Sequence, residues 1–360
     1  MKNFLIVFSS SLVTILVLFF GFYGYWIYAD PRNTCAGCHE IVSSVGTWEY
    51  SAHRDIRCSH CHGTALENGI HSLKEKSLMV LTHATRRKQP GDIRMNETQV
   101  LEVSDRCSVC HQSEYARWQA GGHSVRYKDI FLDTAHNAAE RPGPDCLRCH
   151  AMFFQGGIKD LVTPVSIKGP WKLLDKNKVN QPVIPCLACH QVHTENPPLN
   201  TFNGNADTAK WSFRNPDYGL YIRSEKLFLR ADYLPVPEMF QENSQVKVFQ
   251  GPGLALCIQC HSPGAFHQAG THDDRTPTGV HEGLSCLSCH DSHSNDASRS
   301  CSTCHPAISN CSLDVMKMNT TYLDSNSPNN IHFVSCNDCH ETSFLRMHAA
   351  RLGREGLKGK

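Results

Sequence analysis

One five-residue pattern, Cys-x-x-Cys-His, recurs nine times in this 360-residue chain and takes 18 of its 19 cysteines. The copies are Cys35/Cys38/His39, Cys58/Cys61/His62, Cys107/Cys110/His111, Cys146/Cys149/His150, Cys186/Cys189/His190, Cys257/Cys260/His261, Cys286/Cys289/His290, Cys301/Cys304/His305 and Cys336/Cys339/His340. Two thiols separated by two residues reach one edge of a planar macrocycle from a single helical turn, and the next histidine falls beneath its centre. That is the attachment pattern of c-type haem: the thiols form thioethers with the porphyrin vinyl groups, and the histidine becomes the proximal iron ligand. Zinc is the rival, because Cys-x-x-Cys is also half of a tetrahedral site. Zinc sites, however, draw on such pairs two at a time, or add two spaced histidines to one pair. An odd number of copies, each with its histidine in the same place, does not fit. A disulfide framework would not require the histidine. The expected cofactors are nine covalently bound c-type haems with their iron.

Nine porphyrins leave so little chain for each that the macrocycles themselves must form much of the apolar interior. Pro and Gly recur as turn signals, as in Arg141-Pro142-Gly143-Pro144, Pro197-Pro198 and Gly251-Pro252-Gly253. The expected fold is mainly α with extensive loops: short motif-bearing helices wrapped around nine haems, little sheet, and one N-terminal transmembrane helix. Motif spacing divides the chain into an anchor at 1–29, a five-haem lobe at 30–194, a haem-free spacer at 195–256 and a four-haem lobe at 257–360. The spacer is rich in aromatics, and Tyr221-Ile-Arg-Ser-Glu-Lys-Leu-Phe-Leu-Arg230 alternates enough to predict a small hairpin. It reads as packing between lobes or as a docking surface. A net charge of +1 favours neither nucleic acid nor an acidic membrane surface.

From Phe4 to Tyr28 the sequence carries no charge, a run of 25 residues, near the roughly 20 that span a bilayer and longer than a signal-peptide core. Phe22, Tyr23, Tyr25, Trp26 and Tyr28 crowd its end as an interfacial belt would. A membrane anchor is expected, with a cleaved signal peptide as the alternative. Since c-type haem is attached outside the cytoplasmic membrane of bacteria, the haem domain should face the periplasm.

The second axial ligand separates electron carriers from enzymes, because two histidines close both faces of an iron and an open face admits substrate. Of 22 histidines, nine are proximal. The expected distal ligands are His53, His281 and His332, which lie shortly before motifs. His193 and His293 are also expected, three residues after a proximal histidine, as are His123, in a phrase like that around His53, and His348, after the last motif. Met152 stands two residues after His150 as a weaker sulfur candidate against simple packing, and Cys311 is left over.

The anchor leading directly into Cys35-x-x-Cys38-His39, followed by Trp48, Ser51-Ala52-His53 and the motif at Cys58, resembles the NapC/NirT-type membrane-bound quinol dehydrogenases over about the first 65 residues, loosely to His150. Some members carry methionine where this chain has Ile41. The resemblance implies electrons taken from quinol, or from a membrane redox complex, and passed to a periplasmic or extracellular redox protein. Two classes stay open: a relay, with quinol dehydrogenase activity undecided, and a multihaem reductase of a small nitrogen or sulfur oxyanion or hydroxylamine. All nine proximal positions are histidine, with no lysine variant, which favours the relay.

Overall fold

The structure, a computed structural model, describes residues 2–28, 41–49, 51–63, 81, 85, 94–138, 141–193, 219–236, 238, 240–241, 244–245, 252–261, 281–294 and 304. By its contacts the chain divides into two compact units, Met1–Met95 with Val192–Asp217 and Asn96–Gln191 with Tyr218–Lys360. The described residues are mostly helical, with three two-stranded sheets.

In the first unit, helix Lys2–Tyr28 contains an apolar stretch, Ile6–Tyr25, none of which is buried. Its 27 residues would extend about 40 Å, against a hydrocarbon core of about 30 Å. Three of its hydroxyls bond within the helix: Ser9 and Ser10 donate to carbonyls three residues back, and Thr14 to one four residues back. Such pairing within the segment is what lipid demands of polar groups. Farther on, Val42–Glu49 leads through a turn to the motif helix Cys58–His62. Trp48 closes that turn, its indole donating to the carbonyls of His53 at 2.8 Å and Ile56 at 3.1 Å. Ser51 Oγ accepts from the His53 amide at 3.0 Å. These bonds give Trp48 and Ser51 a local role in shaping the turn that carries His53.

The second unit begins with helix Glu97–Cys107. Its start is a capping box: the Asn96 side chain accepts from the Gln99 amide, and the Gln99 side chain accepts from the Asn96 amide. Around the fourth motif lies a side-chain core built from Tyr127, Phe131, Leu147, Ala151, Leu161, Val162, Trp171, Leu173 and Val183. Short strands Val162–Thr163 and Lys172–Leu173 pair across it, Val162 opposite Leu173. At its edge Glu97 accepts from the Tyr127 hydroxyl and pairs with Lys178. Met152 is fully buried beside this motif. Nine side chains from 127–183 thus pack into a side-chain core that includes Leu147 of the fourth motif.

The predicted hairpin is present as Gly219–Ile222 antiparallel to Leu227–Arg230, Tyr221 opposite Phe228. Lys226 closes its turn at φ 55°, a left-handed conformation tolerated at hairpin turns. The hairpin ties two motifs together. Gly219 donates to the carbonyl of Cys189 at 2.9 Å, Arg223 donates to the carbonyl of Phe154 at 2.9 Å, and the Tyr221 ring stacks on Phe153 at 4.3 Å. A Cβ on Gly219 would lie 2.2 Å from the carbonyl oxygen of Leu229, so only glycine fits there.

Candidate functional site

The described motifs share one local design. In those beginning at Cys107, Cys186, Cys257 and Cys286, the histidine amide donates to the carbonyl of the first cysteine at 2.9–3.0 Å. The amides of the second cysteines, Cys110, Cys189, Cys260 and Cys289, donate to the same carbonyl at 3.2 Å. Cys58–His62, with Cys61 in its last turn, and Cys146–His150 form short helices of the same five residues. Each turn thus carries two sulfurs and one imidazole from a single stretch of backbone, the arrangement c-type attachment needs.

The cysteines expected to bind haem are not enclosed alike. Cys61 and Cys289 are half-buried, whereas Cys110 and Cys304 are exposed; of the eighth motif only Cys304 is described. Among the described residues no cysteine is in a disulfide, so Cys61, Cys110, Cys289 and Cys304 keep the thiol form from which a thioether is made.

Three of the motif histidines face a second histidine. His62 and His193 in the first unit, and His190 with His293 and His261 with His123 in the second, each have ring centroids 6.0 Å apart. The interplanar angles are 23°, 11° and 61° respectively. Two imidazoles on opposite sides of one first-row metal, with metal–nitrogen bonds of about 2.0–2.1 Å and each nitrogen about 1.1 Å from its ring centre, would have centroids about 6.3 Å apart. The observed separation fits an iron held between them. A zinc site would need a third and fourth ligand, and among the described residues no group of three or more His, Cys, Asp or Glu converges. A porphyrin supplies the other four ligands itself, so two histidines are enough.

The ring nitrogens are arranged accordingly. His193 Nδ1 lies 2.7 Å from the carbonyl oxygen of Ser44, and His123 Nδ1 lies 3.0 Å from that of Ser292. A carbonyl can only accept, so Nδ1 carries the hydrogen and Nε2 keeps its lone pair for a metal. Metal-ligating histidines are commonly oriented by such a bond. Burial, opposed in part by these carbonyl bonds, lowers the pKa of His193 and His123. His190 falls to about 4, through burial first and then the neighbouring His293 and His111. Neutral imidazole is the form that ligates.

The second unit also brings motif turns together. The Cys149 and Cys260 thiols hydrogen-bond one another, which lowers Cys149 to about 7 and raises Cys260. Cys286 falls to about 7 through Cys257, which rises in turn. Arg148 adds a bond to the carbonyl of Gln259 at 3.1 Å. In a haem-bearing chain these sulfurs are thioethers. What remains is adjacency: the fourth motif abuts the sixth, and the sixth abuts the seventh.

Of the expected distal residues, His123, His193 and His293 therefore each meet a motif histidine. His53 and His281 occupy turns just before motifs. His332 and His348 lie outside the described residues, as do Cys35, Cys38, His39, Cys301, His305, Cys336, Cys339, His340 and Cys311. Sequence reasoning missed Ser44 and Ser292, which act through backbone oxygen and leave no side-chain signal. It also missed Arg117 and Asp291, an ion pair at 2.7 Å between helix Gln112–Ala120 and the segment after His290.

Residues 31–208, just under half of the chain, match the family model described as outer membrane cytochrome MtrC/MtrF-like, domains II/IV. Residues 237–291 match that of cytochrome c554 and c-prime. No curated protein and no solved structure matches the chain. The NapC/NirT resemblance is not reproduced, since the stretch from Cys35 to His150 on which it leans lies within the first match. The reason is physical. Haem attachment itself demands the motif turn and a histidine nearby, so these features are common to many multihaem families.

Proposed function

We propose that this chain, a multihaem c-type cytochrome with an electron-transfer role, carries nine haems. In this reading it is held by its N-terminal helix in the cytoplasmic membrane of a bacterium with the haem domain in the periplasm. It relays electrons from the quinone pool or a membrane complex to a periplasmic or extracellular redox protein. The observation that carries the reading is the set of three opposed histidine pairs, His62–His193, His190–His293 and His261–His123, each at 6.0 Å. When bound, haem supplies reversible one-electron chemistry at its iron. The protein's part is to close both faces with neutral imidazoles, fix the ligating nitrogen through the Ser44 and Ser292 carbonyls, and exclude water by burial. Faces closed in this way leave no place for an oxyanion, which favours a relay over a reductase. The match to an outer-membrane cytochrome family supports an acceptor on the extracellular side.

Intact-mass measurement tests the cofactor count: nine added masses of roughly 0.6 kDa each are expected. Fewer in fully matured protein would empty the corresponding motifs. For the donor, a menaquinol analogue is added to intact protein in liposomes and to a form beginning near Asp30. Rapid reduction of the intact form alone supports direct quinol oxidation. Reduction of neither, while dithionite reduces both, leaves the helix as a tether.

A further inference from the structure

A single carboxylate sits between two of these histidine pairs. Asp291 follows the seventh-motif histidine directly. Its Oδ1 accepts from the His293 amide at 2.7 Å and the Ser294 amide at 3.3 Å, folding the segment into a tight turn. Its other oxygen takes Arg117 at 2.7 Å. The helix bearing Arg117 ends at Gly121, where a Cβ would meet the carbonyl oxygen of His293 at 2.5 Å. Two residues later His123 donates to the carbonyl of Ser292 at 3.0 Å.

From this geometry we infer that Asp291 and Arg117 are positioning residues that hold the distal ligands of two different haems at once, His293 opposite His190 and His123 opposite His261. The inference rests on the ligation reading above. It gives the seventh-motif tail a second task, because Asp291, Ser292 and His293 form a joint shared by the fifth- and sixth-motif haems. The two oxygens of Asp291 divide the work. Oδ1 shapes the turn that presents His293, and Oδ2 draws in the helix end that presents His123. Gly121 permits the close approach, and its φ of −93° suits any residue, so adding a methyl group there is a purely steric change.

The test counts high-spin irons in the full-length haem protein by resonance Raman and by carbon monoxide binding after reduction. Intact mass confirms an unchanged haem content. His123→Ala and His293→Ala should each turn one iron high-spin. Asp291→Ala and Gly121→Ala should each turn two. Asp291→Asn keeps the turn acceptor but loses the charge pair, so it should free only the His123 face, as should Arg117→Ala. Arg117→Lys should restore low spin. If the two histidine variants each free one iron while Asp291→Ala, Gly121→Ala and Arg117→Ala match the parent spectrum, the joint is wrong and the ligation reading survives. If the histidine variants change nothing, the ligation reading falls and takes the joint with it. Should Asp291→Ala lose haem during maturation, Arg117→Ala and Gly121→Ala decide the matter by the same count.

Discussion

Two regions of the second unit solve the problem of excluding water in different ways. Between Tyr127 and Val183 the chain builds an ordinary core, in which Tyr127 and Val162 are fully buried and Trp171 nearly so. Among the described residues of 252–261 and 281–294, the buried apolar side chains are Leu254, Ala255, Leu256 and Ile258, with Val236 and Cys286 packed against Leu254 and Ile258. There Leu284 and Leu287 stand 44% and 46% exposed beside the seventh motif. The described part of this region has little apolar packing around its two motif turns. On the proposed reading a porphyrin supplies the missing buried area, and this is where the opposed histidines His261 and His293 lie. The first region would then be held by side chains and the second by haem.

Withholding haem should expose this difference most strongly. In cells lacking the attachment machinery, amide protons of 253–261 and 286–294 should lose their exchange protection, while those of 127–131, 161–162 and 171–173 retain theirs. Equal loss in both would break the comparison. Next in size, Phe131→Ala should cost about 3–5 kcal/mol through lost burial and an unfilled cavity, with every iron still low-spin. A high-spin signal in that variant would show that core and haem sites are not separable. His293→Ala should do the reverse, leaving the melting of the side-chain core within error while one iron turns high-spin.

The smallest expected effect is a pH dependence confined to the side-chain core. Burial, and then the Glu97 carboxylate beside its hydroxyl, push the pKa of Tyr127 well above the ordinary phenol value. The stabilising neutral form is fully present below the unfolded value near 10. As pH rises beyond that, the unfolded chain ionises first and stability falls by about 1.4 kcal/mol per pH unit until the folded value is reached. Denaturant titrations between pH 9 and 11 should show this slope, and Tyr127→Phe should remove it at a cost of about 1 kcal/mol from the lost hydrogen bond. An unchanged slope would place the alkaline sensitivity elsewhere.

The nine motifs, the apolar N-terminal helix and the 219–230 hairpin could be read from residue spacing alone, because each depends on neighbours within a few positions. A c-type haem turn needs only five consecutive residues, a membrane-spanning helix only an uncharged run, and a hairpin only alternation around a turn. The same locality limits the family reading, since a motif turn with a nearby histidine is what haem attachment requires in any multihaem family, and the family model that matches 31–208 is a different one. Pairing was different. His193 lies three residues after His190 yet faces His62, and His293 lies three residues after His290 yet faces His190. Sequence could nominate these histidines as ligands, but it could not say for which motif. That depends on contacts between segments up to 174 residues apart, such as Arg117 with Asp291. Proximal ligation, on the proposed reading, is written into the chain because one backbone turn would enforce it. Distal ligation is decided by tertiary structure, because any histidine can close a haem face and only the fold determines which one arrives.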